Sequence, residues 1–86
     1  MKLNFTFTDA MTALSEPNSF ARAEGYTTWF TKDENGGLHT VMYHSSVDKI
    51  QRTPAGSFQF SEDRKNAKWN VYDEAEFIKI YQKEVR

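Results

Sequence analysis

The sequence predicts an α+β fold: a small antiparallel sheet with a short N-terminal helix and a C-terminal helix, in one domain over residues 1–86. Three observations lead there. A capping-box pattern opens an apolar run at helical spacing near each end of the chain. The segments between are rich in β-branched and aromatic residues. Asp33-Glu34-Asn35-Gly36-Gly37 joins two of those segments, and Asn-Gly is a strong hairpin signal because both residues tolerate positive φ.

Thr6-Phe7-Thr8-Asp9 places a hydroxyl three residues before an acid, and Phe7, Ala10, Met11 and Leu14 follow at helical spacing. The expected helix runs from about Phe7 to Ser15 and ends before Pro17, since the residue preceding proline avoids the helical region. Phe20-Ala21-Arg22-Ala23 reads as a short strand broken by Gly25, and Tyr26–Thr31 as a second. Leu38–His44 is the hairpin partner, with Leu38, Thr40, Met42 and His44 on one face and His39, Val41 and Tyr43 on the other. Val47–Thr53 alternates weakly and suits an edge strand or a loop. Pro54-Ala55-Gly56 is a turn. Ser57-Phe58-Gln59-Phe60 and Trp69-Asn70-Val71-Tyr72 both alternate cleanly, and the polar run from Ser61 to Lys68 between them is turn-like. Asp73-Glu74-Ala75-Glu76 is the second capping box, and Phe77, Ile80, Tyr81 and Val85 extend a helix from about Glu74 to Lys83.

Composition bounds the function. With 11 basic and 12 acidic residues the net charge is −1, which does not favour a general nucleic-acid binder. There is no cysteine, so disulfides and thiolate metal sites are excluded. No apolar run approaches the ~20 residues of a membrane span, and Met1-Lys2-Leu3-Asn4-Phe5 does not read as a signal peptide; a cytoplasmic protein is the expectation. Aromatic residues make up 15% of the chain, enough to build the core of a small domain. Small domains often need a staple, and oligomerisation is the one left open here.

Catalytic patterns are missing from the sequence. His39 and His44 alternate to opposite faces of one strand and do not converge on a metal. The acids at 33–34, 62–63 and 73–76 sit at turns and helix starts, where capping explains them. No nucleophile signature or phosphate loop is present. The expectation is a binding protein without a cofactor, not an enzyme. Tyr26, Trp29, Phe30 and Tyr43 put aromatic residues on both faces of one hairpin; one face must be core, the other an interface or a ligand shelf. Lys49, Arg52, Arg64, Lys65 and Lys68 form a weak basic set that reads first as a solvated face and second as a phosphate contact. A comparison with the WW module fails because its two tryptophans are not at the expected places.

The order of several motifs resembles the second Thoeris anti-defence family of phage proteins. Phe7, Asp9, Ala10, Met11 and Leu14 look like that family's opening helix. Arg22 and Gly25-Tyr26 look like its basic residue and Gly-aromatic step. Phe60-Ser61-Glu62-Asp63 followed by Trp69-Asn70-Val71 looks like its closing motif. Tyr26 stands where the family usually has tryptophan, Lys68 replaces an acid, and Asp73–Arg86 extends past the usual end. The resemblance implies a homo-oligomer, with a tetramer as its expected form and pockets between subunits. It implies a sponge acting in the host-cell cytoplasm that sequesters a cyclic ADP-ribose-type or cyclic nucleotide signal without cleaving it, and so silences an immune effector. On that reading Tyr26 or Trp29 stacks on a base, Arg22 holds a phosphate, and Asp63 or Asn66 binds a ribose or base edge. The plainer alternatives are that Arg22 pairs with an acid and Trp69 is core. A different class of function, direct inhibition or adaptation of a host protein, rests on the small size, the aromatic hairpin and the extra C-terminal helix.

Overall fold

A six-stranded antiparallel sheet forms the centre of the computed structural model, which describes residues 2–56 and 58–84. In chain order the elements are β1 (Lys2–Phe5), α1 (Phe7–Ala13), β2 (Ser19–Ala23), β3 (Trp29–Lys32), β4 (Leu38–His44), β5 (Lys49–Pro54), α2 (Glu62–Asn66), β6 (Trp69–Asp73) and α3 (Glu74–Glu84). The sheet order is β1-β6-β2-β3-β4-β5. β6 therefore inserts between β1 and β2, paired to β2 from Ser19↔Asp73 to Ala23↔Trp69. β3, β4 and β5 form a meander, with Trp29↔Val41 and Val41↔Arg52 in register. The fold is α+β, with the short N-terminal helix and the C-terminal helix in the expected places.

Helices cover both faces of the central strands, leaving β5 mostly exposed, and strand alternation decides which residue goes where. Toward α1 point Ala21 and Ala23 of β2, Phe30 of β3, and Trp69 and Val71 of β6, packed with Ala10 and Leu14. The small side chains at positions 10, 21 and 23 let α1 lie close to the sheet. Phe7, Phe60 and Trp69 extend this layer, with ring centroids 4.8 Å apart for Phe7–Phe60 and 5.5 Å for Phe7–Trp69. Toward α3 point Phe20, Trp29, Val41, Tyr43 and Tyr72, packed with Phe77. Phe20 and Phe77 stack at 4.5 Å, and Trp29 meets Phe77 edge-on at 4.9 Å. The hairpin thus has no bare aromatic shelf: Trp29 and Phe30 point to opposite faces and both are buried core.

Both capping boxes form, to different degrees. Thr6 accepts a hydrogen bond from the Asp9 N–H at 3.1 Å. At α3 the box is reciprocal: Asp73 Oδ1 accepts from the Glu76 N–H at 2.8 Å, and the Asp73 N–H donates to Glu76 Oε1 at 3.3 Å. α1 is shorter than the expected 7–15, and its C-terminal end is held from the sheet by Lys32, whose Nζ donates to the Met11 carbonyl at 2.8 Å.

Several elements differ from those the sequence predicts. β1 had no sequence signal strong enough to register. The second strand begins at Trp29 and not at Tyr26, because Gly25 adopts φ 87° and the Tyr26 N–H bonds back to the Ala23 carbonyl. The 33–37 connection is not a two-residue turn. Lys32 pairs with Leu38, Gly36 has φ 82°, and Asp33 Oδ1 accepts from the N–H groups of Asn35 at 2.9 Å and Gly37 at 2.8 Å. Phe58–Phe60 is not a strand but a crossing segment whose rings pack onto Phe30; Ser57 lies outside the described residues. The polar run 61–68 contains a one-turn helix, α2, with Ser61 as its N-cap. β5 is an edge strand, as β1 is on the other side, and Val47 sits in the turn before β5. Val85 and Arg86 lie outside the described residues. Among the described residues no helix is long and apolar enough to cross a membrane.

Candidate functional site

The residues singled out by sequence gather only in part. Arg22 and Tyr26 line one recess of about 310 Å³, together with Glu24, Gly25, Asn70 and Glu84. The local sequence explains this. Arg22 leaves β2 on the α3 face, Gly25 turns the chain at positive φ, and Tyr26 comes back beside it before β3 begins. Tyr26 is half-buried, with its ring against the α1 layer.

The Arg22 guanidinium is held on two sides. Its Nη1 donates to Glu84 Oε1 at 2.5 Å and its Nη2 to Glu84 Oε2 at 3.1 Å, a two-pronged bond to the last turn of α3. Its carbon lies 4.5 Å from the centroid of the Trp29 ring. Trp29 itself is 1% exposed, so its ring backs Arg22 and offers no face to a ligand. The Arg22 fork holds the Glu84 carboxyl below its ordinary range.

Asp63 and Asn66 are exposed on α2 and are not lining residues of this recess. Between them in sequence, Arg64 reaches inward. Its guanidinium carbon is 4.5 Å from the Tyr26 ring, 5.1 Å from Phe58 and 6.0 Å from Phe30. Its Nε and Nη1 are buried and have no hydrogen-bond partner among the described residues. Its carbonyl accepts from the Trp69 indole N–H at 3.0 Å, which ties α2 to β6. The five sequence candidates thus divide: Arg22 with Tyr26, Trp29 beneath Arg22, and Asp63 with Asn66 on the helix whose Arg64 packs on Tyr26.

Two participants lie outside the five candidates. Glu84 is one, and its only sequence signal was an unassigned acid near the end of a helix whose neighbouring cations suit the dipole. Arg64 is the other. The sequence groups it with Lys49 and Arg52, but those two stand on the edge strand β5, so the basic set is not one face.

His39, His44, Tyr43 and Asp33 serve local structure. His39 Nδ1 lies 3.1 Å from the Gly37 carbonyl oxygen, and His44 Nε2 lies 2.7 Å from Gln51 Oε1. The Tyr43 hydroxyl donates to Asp48 at 2.5 Å, which pushes its pKa up. Backbone N–H donation, from Gly37 above all, lowers that of Asp33. Among the described residues no three His, Cys, Asp or Glu side chains are grouped to hold a metal. A larger groove of about 460 Å³ lies at the other end of β3, between the α1–β2 loop and the β3–β4 turn. Its charges are mixed, with Glu16, Asp33 and Glu34 beside Lys32 and Arg52. Set against family models, curated proteins and solved structures, the chain matches none of them.

Proposed function

We propose that the protein captures a nucleotide-type signal, of the cyclic ADP-ribose or cyclic nucleotide class, and holds it without cleaving it. One observation carries this reading: a guanidinium fork and an aromatic ring, Arg22 and Tyr26, line the same recess on either side of Gly25. The fork matches phosphate oxygens, and base stacking on such a ring contributes about 1–3 kcal/mol. Gly25, with no neighbouring atom where a side chain would stand, lets a ligand approach the backbone there. Trp29 acts by placing Arg22. Asp63 and Asn66 contact ribose or base edges where a ligand extends over Tyr26 toward α2. The motif order of the sequence gives the capture its setting, a phage anti-defence sponge in the host cytoplasm, with the shallow recess completed by a second subunit of a homo-oligomer.

The test is direct. Purified protein is mixed with cyclic ADP-ribose isomers and cyclic di- and trinucleotides, separated from free ligand and heated. Mass spectrometry should find one of them released intact. Retention of none, or release of a hydrolysed product, overturns the reading.

A second reading, direct binding to a host protein, is favoured by the β4–β5 hairpin, where Met42 is 50% exposed and Val47 62%. A pull-down from host lysate that yields a stoichiometric protein and no nucleotide supports it over the first.

A further inference from the structure

The Arg22 fork is already occupied by an anion of the chain's own. Glu84 fills both prongs, and it comes from the last described turn of α3. Three features favour its exchange. First, Arg22 has a support besides Glu84: its guanidinium lies 4.5 Å over the buried Trp29 ring. Second, Glu84 is poorly placed on its own helix: a carboxylate at a helix C-terminus faces the negative end of the dipole. Third, the turn that carries it is thinly attached. Phe77 is the buried residue of α3, Ile80 and Tyr81 are half-buried, and Gln82, Lys83 and Glu84 are exposed. Glu84 is 48% exposed against 18% for Arg22, so a released Glu84 returns to water while Arg22 stays in the recess.

We propose that the Arg22 recess is an anion-exchange subsite, in which the phosphate of an incoming ligand displaces Glu84 and frees the last turn of α3. This rests on the reading that the recess takes a nucleotide-type ligand. The exchange swaps one two-pronged anion for another at the same fork, and a phosphate group offers more acceptor oxygens than the carboxylate it replaces. While Glu84 occupies the fork, the observed affinity is reduced by the fraction of molecules in which the fork is free. The C-terminal helix is then a competitor in cis that sets how strongly the subsite binds.

The experiment is calorimetric titration of the full chain with inorganic pyrophosphate. Glu84→Gln should bind about tenfold tighter than the unaltered protein. Glu24→Gln removes the same charge from the same recess without touching the fork bond, and should gain less than about twofold. Arg22→Gln should abolish binding, with its melting temperature measured alongside. Amide hydrogen exchange of the unaltered protein supplies a readout without substitution: pyrophosphate should speed exchange over residues 81–84. Equal affinities for Glu84→Gln and the unaltered protein, equal gains from both Gln variants, or no pyrophosphate binding by Glu84→Gln would each overturn the exchange. The two readings fail separately. A gain for Glu84→Gln with no cyclic nucleotide ever retained leaves the exchange and removes the sponge. A retained cyclic nucleotide with equal affinity for both proteins leaves the sponge and removes the exchange.

Discussion

Glu84 and Phe77 lie on the same helix and hold it to the sheet by different physics. Phe77 is fully buried between Phe20 and Trp29, so Phe77→Ala leaves a cavity in the α3 layer. Its expected cost is about 3–5 kcal/mol, read from the urea midpoint at unchanged slope. Glu84 contributes through charge, and its contribution depends on pH. Its folded pKa lies below its ordinary 4.5 because Arg22 donates to it. A depressed carboxylate pKa stabilises above the unfolded value, and that stability is lost as pH falls through the folded value. The difference in melting temperature between the unaltered protein and Glu84→Gln should therefore be present at pH 7 and fade below about pH 4.5. A difference that is constant down to pH 2 would contradict the Arg22 bond. Phe77 was legible in the sequence from its spacing after a capping box. The Arg22–Glu84 pair was legible only as the general option that Arg22 meets an acid, because 62 residues separate the partners.

Elements with strong local signals form where the sequence places them, and those without were missed for physical reasons. The reciprocal box at Asp73 and Glu76 starts α3 at the expected residue. Asp73→Ala should cost about 1 kcal/mol in thermal or urea unfolding, the usual effect of losing an N-cap. No loss would show that packing of Phe77 alone fixes the start of the helix. β1 is four residues long, and its pairing to β6 is a tertiary matter that composition does not record. α2 is a single turn, below the length at which periodicity is readable. Phe58 and Phe60 alternate with polar residues as a strand would. Among the described residues the segment pairs with no strand; its rings both reach Phe30, at 5.2 and 5.1 Å, so the alternation records packing onto the α1 layer. The Asn35-Gly36 pair marked a turn correctly but not its type, because the Asp33 carboxylate organises a longer loop around two backbone N–H groups.

At the scale of the molecule, the strand order explains both the burial and the site. β6 arrives late in the chain and fills the gap between β1 and β2, so both layers depend on Trp69 to Tyr72. The same placement brings Asn70 into the recess opposite Arg22, its partner in register. Covered faces on both sides of the central strands leave Trp29 as support and Tyr26 as the ring that remains partly open. Half of the candidate site is legible in the sequence: the motif resemblance points to Arg22 and Gly25-Tyr26, while the role of Trp29 depends on which side the C-terminal helix takes. A sponge with pockets between subunits should elute well above the 10.0 kDa of one chain in size-exclusion chromatography with light scattering. A strictly monomeric profile at micromolar concentration would contradict the shared pocket.

Capture at Arg22 and Tyr26 is open to titration calorimetry with the signal nucleotide found by heat release. The unaltered protein should bind it with a defined stoichiometry and leave it intact. Tyr26→Leu should weaken binding by about five- to 150-fold, the loss of about 1–3 kcal/mol of stacking, with Arg22→Gln weaker still. Unchanged affinity in both variants would contradict the site, and turnover of the nucleotide in the cell would contradict capture itself.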